Sequence, residues 1–118
     1  MPAEKHSGSC QCGTVAFAVN IDLSSTITCN CSRCRRLGSI LAFAPWEQFT
    51  LTKGEDATTT YQFNKHAIDH KFCKTCGIQA YARGVGPGGA VMAAINVRCL
   101  DGVDIDALKP QKFDGAKM

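Results

Sequence analysis

The sequence predicts an all-β or mostly β domain pinned by metal. Apolar residues alternate at period 2 in short runs, as in Val15, Phe17 and Val19, and no stretch keeps a helical period for long. Clusters of glycine, proline and small polar residues punctuate these runs. Seven of the eight cysteines fall in three tight groups, Cys10-x-Cys12, Cys29-x-Cys31-x-x-Cys34 and Cys73-x-x-Cys76, while Cys99 stands alone.

Residues 5–20 read as an extended, hairpin-like unit. Ser7-Gly8-Ser9 leads into the first cysteine pair, Gly13 turns the chain, and the alternating run comes next. Residues 21–25 form a polar turn, and Ile27 and Thr28 lead in extended form to the second cysteine group. Residues 32–37 are long enough for one helical turn before Gly38. The apolar run 39–44 reads as a buried strand closed by Pro45-Trp46, and 50–52 as a short strand before a turn at 53–56. Threonines and aromatics make 58–63 β-rich. Residues 70–72 run into the last cysteine pair, with strands predicted at 78–83 and 91–97. The glycine-rich stretch 84–89 reads as a loop connecting strands rather than a mobile lid. A single domain is expected, with its core over residues 7–102 and a charged tail at 103–118 that has one weakly helical stretch.

Charge and compartment narrow the function. The formal charge of +3 counts every cysteine as neutral. Seven thiolates on two divalent ions would bring it to about zero. The sequence pI near 8.5 is therefore no argument for a nucleic-acid partner, and no lysine/arginine run or interleaved aromatics supports one. No apolar run approaches the ~20 residues of a membrane span, and residues 1–5 do not open a signal peptide. The expectation is a cytoplasmic protein without membrane contact, in which clustered cysteines hold metal rather than disulfides.

The residue after each cysteine group divides them. Cys12 and Cys76 each precede a glycine, which permits positive φ and turns backbone amides towards the sulfur; Cys34 precedes Arg35 instead. Pairing the glycine-closed groups gives a four-cysteine structural site of Cys10, Cys12, Cys73 and Cys76. Cys29, Cys31 and Cys34 then form a tripod with one tetrahedral corner open. His66, His70 or Cys99 could fill that corner, making both metals structural; left open, it suits catalysis.

The motifs Gly8-Ser9-Cys10-Gln11-Cys12-Gly13, Cys29-Asn30-Cys31-Ser32-Arg33-Cys34-Arg35-Arg36, Phe72-Cys73-Lys74-Thr75-Cys76-Gly77 and Asn96-Val97-Arg98-Cys99-Leu100-Asp101 resemble the glutathione-dependent formaldehyde-activating enzyme family, which includes centromere protein V. Ala42-Phe43, Gly54-Glu55 and Thr60-Tyr61-Gln62-Phe63 resemble it as well. The resemblance covers residues 7–102 with its motifs in order. It implies an Mss4-like fold of packed antiparallel β-sheets, a structural zinc at Cys10, Cys12, Cys73 and Cys76, and a catalytic zinc at Cys29, Cys31 and Cys34, two ions per chain. The implied activity is a carbon–sulfur lyase that condenses glutathione with formaldehyde to S-hydroxymethylglutathione.

On that reading the zinc either delivers the thiol of glutathione, or of another thiol, as a thiolate or acts as a Lewis acid on the carbonyl. Three thiolates already leave the site net negative, which favours thiol delivery. Arg33, Arg35 and Arg36 are candidates to pair with a glutathione carboxylate, or simply offset thiolate charge. His70 is a candidate proton shuttle or a plain strand histidine. Cys99 reads as a buried strand cysteine before a nucleophile, and His6 has no motif context. Phe43, Trp46 and Tyr61 read as core or pocket wall. The alternative function is a zinc-stabilised binding module, or a related zinc enzyme with a different small-molecule substrate. A fourth protein ligand at the tripod would favour the module.

Overall fold

The computed structural model describes residues 3–63 and 67–117. It is mostly β, with two sheets packed face to face. The smaller sheet has the order β1-β2-β5, from β1 (Glu4–Ser9), β2 (Ala16–Ile21) and β5 (Phe49–Lys53). The hairpin expected over 5–20 is β1 against β2, in register from Glu4↔Ile21 to Ser9↔Ala16. Alternation in β2 buries Phe17, Val19 and Ile21 while Asn20 stays exposed, because successive side chains point to opposite faces.

The larger sheet uses β3 (Ile27–Cys29), β4 (Leu41–Pro45), β6 (Thr58–Tyr61), β7 (Ile68–Cys73), β8 (Gln79–Val85), β9 (Val91–Asn96) and β10 (Gln111–Phe113). Its order is β10-β3-β4-β9-β8-β7-β6, and every pairing is antiparallel except β10 with β3. One short helix, α1 (Cys34–Leu37), comes after β3 and ends at Gly38, whose φ is 75°.

The core lies between the sheets. Phe17 stacks on Phe49 at 5.5 Å, Phe49 meets Tyr81 at 4.6 Å, and Trp46 covers Phe49 at 5.1 Å. Ala42, Ala44, Ala93 and Ile95 complete the large sheet's inner face. Small residues there let the aromatics of the other sheet approach, as close packing demands.

Two expectations are corrected. The glycine-rich loop starts later than 84, because Gly84 and Val85 pair with Met92 and Val91 and belong to β8. Gly84 lies under Ile68, where a larger side chain would crowd, so glycine suits the strand here for a packing reason. The tail is also more ordered than predicted. A 3-10 turn at Ile105–Ala107 leads to β10, which adds a parallel edge strand to β3, and a second 3-10 turn lies at Gly115–Lys117. The weakly helical stretch is thus no α-helix.

Candidate metal centres

Two matching turns build the four-cysteine group. After β1, Cys10 N–H donates to Val15 O at 3.0 Å and Gly13 N–H to Cys10 O at 3.3 Å. After β7, Cys73 N–H donates to Ile78 O at 3.0 Å and Gly77 N–H to Cys73 O at 2.9 Å. Gly13 and Gly77 have φ of 81° and 80°, the left-handed region that glycine enters without cost. The turns aim amides at sulfur: Val15 N–H at Cys10 Sγ, 3.4 Å, and Thr75 N–H at Cys73 Sγ, 3.3 Å.

Cys12 Sγ lies 3.7 Å from the sulfurs of both Cys10 and Cys73, and all four sulfurs fall within 4.8 Å of one another. A tetrahedral ion with bonds of about 2.3 Å needs sulfur–sulfur edges of about 3.8 Å, so the donor set fits such an ion. Amides of Ile78 and Cys12 hold the Cys76 thiol down to about 6. Burial pushes Cys10 up. All eight cysteines are free thiols.

The tripod is assembled by one continuous segment. Cys29 ends β3, Cys34 opens α1, and Cys31 lies between them. Cys31 N–H points at Cys29 Sγ (3.5 Å) and Cys34 N–H at Cys31 Sγ (3.4 Å). Their three sulfurs lie within 4.8 Å of one another, and each residue is partly exposed. Burial and the neighbouring Cys31 and Cys29 push the Cys34 thiol well up. At Cys31 burial acts upward too, but the amide and thiol of Cys34 outweigh it and the thiol is lowered. Among the described residues no fourth His, Cys, Asp or Glu joins the tripod, neither His70 nor Cys99. His66 lies outside the described residues.

The tail covers one side of this tripod. Asn30 N–H donates to Phe113 O at 3.3 Å, its Nδ2 donates to Asp114 Oδ1 at 3.0 Å, and its Oδ1 accepts from Ala116 N–H at 2.9 Å. Between these bonds Gly115 packs directly on Cys29, where a β-carbon would overlap the sulfur. Asn30 and Gly115 are contributors that sequence reasoning missed. A polar side chain between two clustered cysteines was the available signal for Asn30, while nothing local marks Gly115.

The other candidates separate. Arg33 turns inward, donating from Nε and Nη2 to Gln79 Oε1 at 2.9 and 2.7 Å and lying 4.6 Å over the Tyr61 ring. Arg35 and Arg36 are exposed, and Arg36 donates from Nη1 to Ser32 O at 2.8 Å. His70 is buried, with Nδ1 3.4 Å from Gln79 Nε2; burial and Arg33 lower its imidazole to about 4. Cys99 is a partly buried residue of a 3-10 turn rather than the buried strand cysteine expected, and burial, then Cys10 and Cys76, raises its thiol to about 11.

Trp46 belongs to the aromatic core, Tyr61 supports Arg33, and Phe43 is half exposed. Phe43 lines an apolar groove of about 300 Å³ with Ile68, Val85 and Met92 on the outer face of the large sheet. Among the described residues no helix is long and apolar enough to cross a membrane.

A family model described as glutathione-dependent formaldehyde-activating enzyme matches residues 5–114. A crystal structure of a Rhodobacter sphaeroides protein is similar, with a TM-score of 0.81 and 31% identity, covering 91% of this chain and 99% of that one.

Proposed function

The chain belongs to the glutathione-dependent formaldehyde-activating enzyme family, and from that membership we propose that it is a cytoplasmic, zinc-dependent carbon–sulfur lyase joining glutathione to formaldehyde. In the forming direction the thiol sulfur bonds to the aldehyde carbon, the carbonyl π bond opens, and the proton lost by sulfur ends on the new hydroxyl. The product is S-hydroxymethylglutathione.

The single observation that carries this reading is the contrast between the two cysteine groups. Cys10, Cys12, Cys73 and Cys76 form a complete tetrahedral donor set, while Cys29, Cys31 and Cys34 offer three donors. We assign the first to a structural zinc and the second to the catalytic one. A zinc ion on the tripod would hold an incoming thiol as thiolate at neutral pH.

The chain's own residues shape the approach. Gly115 and the Asn30 bonds wall off the Cys29 side. Arg33 brings positive charge next to the ligand segment, opposing the excess negative charge of three thiolates.

The reading is tested by following exchange between free and S-hydroxymethylated glutathione by NMR in a mixture with formaldehyde. Zinc-loaded protein should speed the exchange, and Cys31→Ser should abolish the acceleration. Exchange no faster with the protein than without it would overturn the assignment.

A further inference from the structure

Arg33 sits between two cysteines of the tripod in sequence, and its side chain reaches from there to Gln79 at the start of β8. Its Nε and Nη2 share the single oxygen Gln79 Oε1, at 2.9 and 2.7 Å. That contact uses the side-on edge of the guanidinium. The end-on edge, with parallel N–H groups on Nη1 and Nη2, has no carboxylate partner among the described residues. It is the geometry that takes a carboxylate in a two-point grip.

The guanidinium is fixed from two directions, on its face and on its side-on edge. Tyr61 lies beneath it at 4.6 Å, and Tyr61 stacks in turn on Phe63 at 5.9 Å. Gln79 is 5% exposed and its own amide is oriented from behind. Because Oε1 faces Arg33, Nε2 must face His70, where the separation to Nδ1 is 3.4 Å. His70 Nδ1 therefore accepts and its proton sits on Nε2. Phe63 packs on the imidazole at 5.2 Å, and Asp69 and Arg33 are the charges that act on it. Gln79 O is occupied too, accepting from Asn96 Nδ2 at 2.9 Å.

Arg35 and Arg36 lack such a frame. Both are exposed, and Arg36 is spent on the carbonyl of Ser32. A mobile surface cation gains little from a carboxylate, whereas a half-buried, pre-oriented one gains more.

We propose that Arg33 binds a carboxylate of the thiol substrate through its Nη1–Nη2 edge, with Gln79 and His70 as positioning residues that hold the guanidinium for it. This rests on the reading of the tripod as a thiol site. It separates Arg33 from the two arginines that come after Cys34.

The test measures the affinity of zinc-loaded protein for glutathione and for its two mono-amides, in which the glycyl or the glutamyl carboxylate is neutralised. In the wild type one mono-amide should bind about tenfold more weakly than glutathione, the effect of one charge-assisted pair in a partly open site. In Arg33→Met that discrimination should vanish. Gln79→Glu should also weaken it while keeping the arginine, because a carboxylate on the side-on edge would neutralise the guanidinium. His70→Leu should reduce it by releasing the amide. A change in folding alone would alter the number of competent sites without changing this ratio. Equal binding of all three ligands by the wild type, or discrimination retained in Arg33→Met, would overturn the proposal and leave the thiol site standing. Absence of binding by any of the thiols would overturn both.

Discussion

Gly115 rests on the sulfur of Cys29, so a residue near the end of the chain forms part of the wall of the tripod. The contact is held by Asn30, which bonds to Asp114 on one side and Ala116 on the other. Gly115→Ala would place a methyl group where the Cys29 sulfur lies. Overpacking of this kind costs about 1–3 kcal/mol. The variant should hold metal at the tripod about tenfold more weakly and leave the four-cysteine site unchanged, as read by chelator titration. Unchanged release from both sites would contradict the wall.

Cysteine substitutions should separate stability from activity. Cys10, Cys12, Cys73 and Cys76 join the turn after β1 to the turn after β7, so metal there ties the two sheets together. Cys73→Ser should cost several kcal/mol or leave no folded protein, since structural zinc supplies folding free energy. Cys31→Ser removes a donor from one local segment and should unfold near the wild-type temperature. Equal loss of melting temperature in the two variants would contradict the division.

The parts of this arrangement differ in how plainly the sequence displays them. Period-2 alternation around Phe17 and the glycines after Cys12 and Cys76 act over a few residues, and they led to the β1–β2 hairpin and to the grouping of four thiols. The strand content of 84–85 was hidden because glycine there serves contact with Ile68, not a turn. β10 was hidden because a three-residue exposed edge strand has no apolar pattern, and its pairing with β3 spans most of the chain. The Arg33–Gln79–His70 chain joins residues on three separate elements, so nothing in the local sequence announces it.

Acid should weaken the fold through His70. Burial, then the charge of Arg33, lowers its imidazole to about 4, while Asp69 acts in the opposite direction. In the unfolded chain it titrates near its ordinary value of about 6.5. Between those values the unfolded chain binds a proton that the folded chain does not. The contribution is therefore complete above about pH 6.5 and declines as pH falls towards about 4. Urea midpoints of wild type and His70→Leu should converge over that interval, thiolate protonation being common to both. Curves that stay parallel would contradict the buried neutral histidine.

The core should be unforgiving at Phe17. Phe17 is 1% exposed; its ring stacks on Phe49 within its own sheet and meets Tyr81 of the other sheet. Phe17→Ala should cost about 3–5 kcal/mol in equilibrium denaturation of the metal-loaded protein. A loss below about 1 kcal/mol would mean that the sheets repack without it.

On the proposed function, the tripod takes a thiol as the ligand its own three sulfurs leave room for. Calorimetric titration of zinc-loaded protein with glutathione and with S-methylglutathione addresses it directly. Glutathione should bind with release of a proton, so its apparent affinity should rise with pH below the free thiol's pKa. The methylated form, a neutral thioether, should bind far more weakly, and Cys31→Ser should lose the difference. Equal affinity for the two ligands, with no proton released, would contradict the account.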